Sequence, residues 1–248
     1  LSRPVEAEAD AVSRFLYLAH LAGDARVNVV HLSTKMGLDA IRAAKARGQK
    51  NIFVETCPQY LLLDDTCYLE KGADGFAGAK YVMSPPPRKP SDRAALREAV
   101  LNGEIDTIAT DHCSFNLHGQ KDRGKGDFRK IPNGGPGVEH RPALIATSFA
   151  GELGPTDLCR LMSEMPAKVF SMWPRKGQLA EGADADVCVW DPTAEWTINA
   201  ATQHQNVDHT TYEGFECRGR AHLTFVNGVL AAQDGEPTGA QPGQYVAR

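Results

Sequence analysis

The chain has 248 residues, with 27 Lys and Arg against 31 Asp and Glu, a formal net charge of −4 and a pI of about 6.1. Nothing in that balance calls for nucleic acid or an anionic membrane as a partner, no stretch approaches the roughly 20 apolar residues of a membrane span, and no segment reads as a signal peptide. The six cysteines, at 57, 67, 113, 159, 188 and 217, include no Cys-x-x-Cys pair. Their scatter fits neither a disulfide framework nor a structural zinc site and suits reduced thiols in a cytoplasmic protein.

The first element expected is an amphipathic helix over Pro4–Ala22. Val5, Ala9, Val12, Phe15, Leu16, Ala19 and Ala22 fall at helical spacing, and Pro4 suits the first turn. A short apolar strand follows from Val27 and closes on His31, Ser33 and Thr34. Met36, Leu38, Ile41, Ala44 and Ala46 then mark a helix stopped by Gly48. The next strand, from Asn51, closes on Glu55, Cys57 and Tyr60, and Leu61–Ala79 reads as an irregular excursion turned by Gly72, Gly75 and Gly78. Ser91–Gly103 is a helix with Ser91 as its expected N-cap and Gly103 as its stop. The apolar, β-branched run Ile105–Ala109 is a buried strand ending in Asp111 and His112. Strand, helix, strand, helix, strand implies a parallel sheet. Catalytic groups collect at the C-terminal ends of such strands in a (β/α) barrel.

His112–Glu139 is a long loop of the kind that is functional or disordered, and its charged middle, Gly119–Asp127, reads as solvated surface. Helices are expected at Glu139–Phe149, Thr156–Glu164 and Pro166–Met172. The pattern then changes to strands: Ala185–Trp190, a turn at Asp191-Pro192, Glu195–Ile198, and a hairpin of His222–Val226 and Val229–Ala232 around Asn227-Gly228. Gly235–Arg248 reads as an extended tail. The expected division is 1–175, 176–235 and 236–248.

Taken alone, His31 is more often a hydrogen-bonded structural residue than a ligand. The plain alternative for Asp111 is a cap or an ion-pair partner, although a carboxylate ending an apolar strand is expensive to bury without a cation. The plain alternative for Ser84 and Asn133 is turn chemistry. Glu55 and His140 carry no assignable role beyond structure.

The motifs themselves carry a resemblance. Val29-Val-His-Leu-Ser33, Glu55-Thr-Cys-Pro-Gln-Tyr60, Tyr81-Val-Met-Ser-Pro-Pro86, Thr110-Asp-His-Cys-Ser-Phe-Asn116 and Lys130-Ile-Pro-Asn-Gly-Gly-Pro-Gly-Val-Glu-His140 stand in one order. Pro174-Arg-Lys-Gly177, Asp184-Ala-Asp-Val187 and Asn206-Val-Asp208 continue it. The series is similar to the C-terminal half of dihydropyrimidinases and D-hydantoinases, cyclic-amide hydrolases of the amidohydrolase superfamily. The resemblance implies an α/β fold: the C-terminal part of a (β/α)8 TIM-like barrel, about three barrel strands, with strands of a small β-sandwich.

It also implies a site with two divalent metal ions, zinc first among them. His31 matches the ligand on the sixth barrel strand and Asp111 the ligand and catalytic proton carrier on the eighth. Ser84 and Asn133 match backbone contacts to the cyclic amide, and His112 and Cys113 lie around the site without ligating. The family's reaction opens dihydropyrimidine or hydantoin rings to N-carbamoyl amino acids, and its members form homo-oligomers, tetramers in particular. The His-x-His pair that such a site requires is absent from this sequence. The chain is therefore expected to be a fragment, inactive alone and prone to associate through its open barrel edge. The alternatives are a non-catalytic relative, which would have no use for His31 and Asp111, and one part of a two-polypeptide enzyme.

Overall fold

A computed structural model describes residues 3–247. Packing divides them into two units: residues 3–141 with Asn199–Glu213, and Pro142–Ile198 with residues 214–247. The expected boundaries at 175 and 235 follow the change from helices to strands, whereas packing groups the helices after 141 with the antiparallel sheet.

In the first unit, β1 (Val27–Val29), β2 (Ile52–Thr56) and β3 (Thr107–Ile108) form a parallel sheet in the order β1-β2-β3. Val29 pairs with Val54 and Glu55 with Thr107, so the three C-terminal ends lie along one edge. The helices α1 (Val5–Leu21), α2 (Lys35–Ala46), α3 (Pro58–Leu62) and α4 (Pro90–Leu101) cover it, α1 on α2 and α2 on α4. Leu16, Leu38, Ile41, Val54, Leu96 and Ile108 are at most 1% exposed. Each such side chain stabilises the fold by about 1.5–3 kcal/mol.

The apolar stripe of α1 is narrower than its spacing suggested. Ala9, Val12, Leu16 and Ala19 are buried, while Phe15 and Ala22 face outward, because α2 is the main neighbour of this helix. Met36 of α2 is also exposed. Pro4 serves as the N-cap of α1, one position before the first turn. Thr34 caps α2, its Oγ1 accepting from the Gly37 N–H at 3.0 Å. In α4 the cap is Lys89, not Ser91: Pro90 occupies the first helical position, where its missing N–H costs nothing. Gly103 does stop the helix, at φ +72°. The excursion after α3 holds two 3₁₀ turns, Asp65–Leu69 and Ala77–Tyr81.

The second unit carries an antiparallel sheet, β4 (Val187–Thr197), β5 (Glu216–Val226), β6 (Val229–Gln233) and β7 (Glu236–Pro237), in sequence order. Asn227 at φ +49° and Gly228 at φ +78° make the expected tight hairpin turn. Asp191-Pro192 does not end a strand. It makes a bulge inside the longer β4, where Pro192 need not donate and Asp191 Oδ1 accepts from the Thr193 N–H at 2.8 Å. The tail contributes β7 before running on extended. Helices α5 (Arg141–Ser148), α6 (Pro155–Cys159) and α7 (Met165–Val169) complete the unit, with a wide π turn, Arg160–Glu164, leading into Pro166. Proline removes one donor of the regular ladder there.

Candidate active site

The site is built on the shared edge of the parallel strands. His31 follows β1, Glu55 ends β2 and Asp111 follows β3. His31, at φ +42°, and Asp111, at φ +51°, both occupy the left-handed region, which a β-carbon disfavours. Backbone held this way persists only where its surroundings enforce it, and such positions gather at functional sites. Asp111 is exposed and His31 half-buried. Partial loss of hydration pushes the Asp111 carboxyl above the ordinary carboxylate range, and the His31 imidazole pulls it back.

Glu55, which carried no assignable role in the sequence, belongs to the same edge. It is buried, its carboxylate accepts the Thr107 hydroxyl at 3.5 Å, and its backbone carbonyl accepts the Leu32 N–H at 2.8 Å. Burial, then the nearby charge of Asp111, raises its carboxyl, while the His31 contacts and the Thr107 hydroxyl oppose the rise. Behind His31 stands a second carboxylate, the half-buried Glu8 of α1. It accepts from the Ser33 N–H at 3.0 Å, the Thr34 N–H at 2.9 Å, the Thr34 hydroxyl at 2.8 Å and the Ser33 hydroxyl. Arg88 completes the cluster, 3.4 Å from Glu8 and 2.9 Å from the Ser33 hydroxyl.

The long loop folds back onto this edge. His112 and Gly135 form a bridge, and the Cys113 N–H donates to the Gly135 carbonyl at 3.2 Å. The His112 Nδ1 accepts from Gly137 at 3.2 Å and Val138 at 3.3 Å, which places the proton of the neutral ring on Nε2. The Cys113 thiol is exposed. Ser84 and Asn133 are brought together, the Ser84 hydroxyl 3.2 Å from Asn133 Oδ1. The cavity beneath, lined by Gln59, Met83, Thr110, Gly135, Pro136 and Tyr212 among others, holds about 10 Å³, the size of one water. A larger ligand would lie on the open edge above it.

The charged stretch Gly119–Asp127 is not wholly solvated. Lys121 is fully buried, its Nζ donating to the Val82 carbonyl at 2.8 Å and the Pro132 carbonyl at 3.0 Å. Burial lowers its pKa to about 8. Composition hid this lysine, because a charge run is solvated unless the fold turns one member inward. Asp208, from the quoted Asn206-Val-Asp208, holds the start of the same turn, accepting from the N–H groups of Leu117 at 2.6 Å and His118 at 2.9 Å.

The donor types on the strand edge suit a divalent metal, an imidazole and a carboxylate among them. Their number does not complete a site: among the described residues no group of three or more His, Cys, Asp or Glu side chains is arranged to hold a metal ion.

The family model described as "Amidohydrolase family" matches residues 7–231. The chain belongs to the amidohydrolase family. Its amidohydrolase sequence is 42% identical, over its whole length, to D-phenylhydantoinase of Escherichia coli O127:H6 and covers 53% of that protein. The amidohydrolase fold matches D-hydantoinase from Bacillus sp. AR9 with a TM-score of 0.93 at 40% identity, over 98% of this chain and 53% of the other. Dihydropyrimidinase from Brevibacillus agri NCHU1002 matches with a TM-score of 0.90 at 39% identity, over 95% and 50% respectively. This amidohydrolase chain thus spans about half the length of the relatives it matches, and its parallel strands and antiparallel sheet are the barrel and β-sandwich parts of their fold.

Proposed function

We propose that this chain is the Asp111-bearing part of a metal-dependent hydrolase that opens the ring amide of cyclic diamides, dihydropyrimidines and hydantoins, to N-carbamoyl amino acids. The observation that supports it is the convergence of His31 and Asp111, both in left-handed backbone, on one edge of the parallel sheet. In this reading His31 and Asp111 are the two ligands the chain contributes to a centre of two divalent ions, zinc first among them. Bound there, such ions bring the pKa of a water close to neutral. The Asp111 carboxylate takes one proton from the attacking water as its oxygen bonds to the ring carbonyl carbon, then returns that proton to the ring nitrogen as the C–N bond breaks. Ser84 and Asn133 meet the ring through the backbone of their segments, while His112 and Cys113 shape the wall.

Two ligands cannot assemble that centre, so the chain alone is expected to be inactive. The exposed Phe15, Leu18 and Leu21 of α1 support its association with itself or with the remainder of a barrel. Among the described residues no helix is long and apolar enough to cross a membrane, and the free thiols suit the cytoplasm.

The test pairs metal analysis with turnover. The chain alone should hold well under two zinc ions and leave hydantoin and dihydrouracil unopened. Co-expressed with the part of D-phenylhydantoinase that it does not match, it should open the rings, and Asp111→Asn should abolish that. Two bound metals and turnover in the chain alone would overturn the incompleteness. A metal-loaded but inert assembly would overturn the reaction.

A further inference from the structure

Lys121 has no place in the chemistry above, yet its side chain is fully buried. Replacing a buried ion by an apolar side chain of similar volume is often neutral or stabilising, so burial of this charge needs a reason other than stability. Its two partners supply one. The Val82 carbonyl lies two residues before Ser84 and the Pro132 carbonyl one residue before Asn133, and neither stretch belongs to a helix or strand. The Val82 carbonyl also accepts the Gly134 N–H at 3.0 Å. One ammonium therefore joins the two irregular segments that the cyclic-amide reading places against substrate.

The lysine is itself aimed. Its backbone N–H donates to Asn116 at 3.0 Å and that of Asp122 to Leu117 at 3.0 Å, closing the turn that Asp208 anchors. Beyond it the loop is tightly packed: a β-carbon on Gly124 would stand 2.0 Å from Ile131 Cγ1, and one on Gly134 would stand 2.1 Å from the Cys113 carbonyl oxygen. A staple between two rigidly packed segments sets their spacing.

We propose that Lys121 is a positioning residue, holding the Ser84 and Asn133 segments at the separation a cyclic diamide requires through its bonds to the Val82 and Pro132 carbonyls. The proposal rests on the cyclic-amide reading for the identity of the ligand and on the geometry above for the staple.

The experiment uses the whole chain, labelled for amide NMR, as wild type, Lys121→Met and Lys121→Gln. Lys121→Met should melt no lower than the wild type, yet its Gly134 amide should exchange at least about tenfold faster, as loss of a charged hydrogen bond permits. Hydantoin, titrated while the Ser84 and Asn133 amides are followed, should bind at least about tenfold more weakly to that variant. Lys121→Gln, which keeps two N–H donors, should recover part of both. An unchanged Gly134 exchange rate and unchanged hydantoin affinity in a folded Lys121→Met chain would overturn the proposal. Were Lys121→Met to unfold, the same pair of results in Lys121→Gln would overturn it. Were the Ser84 and Asn133 amides of the wild-type chain to ignore hydantoin even when that chain is joined to the unmatched part of D-phenylhydantoinase, the cyclic-amide reading would fail, and the Gly134 exchange would still decide the staple.

Discussion

Glu8→Ala removes a carboxylate that faces four hydrogen-bond donors on Ser33 and Thr34 and one guanidinium, with only 12% of its side chain exposed and 8% of that of Arg88. Two of those donors are the backbone N–H groups of the two residues just before α2, where a negative charge also meets the positive end of the helix. Breaking a buried ion pair from one side costs about 3–5 kcal/mol, because the remaining charge stays buried without its counter-ion. Arg88 keeps the Ser33 hydroxyl at 2.9 Å and the Arg3 carbonyl at 2.6 Å, which places the loss toward the lower end of that range. For a chain of this size such a loss lowers the melting temperature by roughly 6–16 °C. Urea unfolding followed by circular dichroism should show a lower midpoint at unchanged slope. The consequence reaches the site, since Ser33 and Thr34 lie only two and three residues after His31. Glu8→Gln, isosteric but uncharged, should lose less. A Glu8→Ala chain destabilised by under about 1 kcal/mol would refute the reasoning, because so small a loss is what an exposed pair gives.

Between about pH 8 and the ordinary lysine range the unfolded chain binds a proton that folded Lys121 has released. The stability contribution of this group therefore rises with pH across that window and is flat below it. Urea midpoints at about pH 7.5 and about pH 9.5 should differ by more in the wild type than in Lys121→Met. Gly134→Ala sets a β-carbon against the backbone carbonyl of Cys113, which no side-chain rotation relieves, and should cost at least about 2 kcal/mol in a thermal melt. Ellman's reagent should modify Cys113, Cys159 and Cys188 in the folded chain well before Cys57 and Cys217, with all six reacting in denaturant. A native count of six at one rate would contradict the burial of Cys57.

The alternation of short apolar strands with helices was legible because buried parallel strands admit little but apolar, β-branched residues. Asn227-Gly228 announced its hairpin through local backbone preference alone. Asp111 and His31 stood out as candidate site residues because a strand that ends in a polar, ionisable group breaks the pattern before it. The amidohydrolase motifs tied them to one chemistry. Helix starts were less secure: Ser91 offered a good cap, but Pro90 ahead of it had already opened α4. The outward turn of Phe15 depended on which neighbours cover α1, and no spacing rule states that.

What the sequence by itself determined, then, is the order of elements and the family, carried by short-range pattern and motif. What only the tertiary structure decided is which polar groups meet. Glu55 against Thr107, Glu8 behind His31 and Lys121 between Val82 and Pro132 each join residues far apart in the chain. A charged side chain in a polar stretch looks the same whether water or two carbonyls receive it, and the difference lies in the packing of segments that local sequence does not encode.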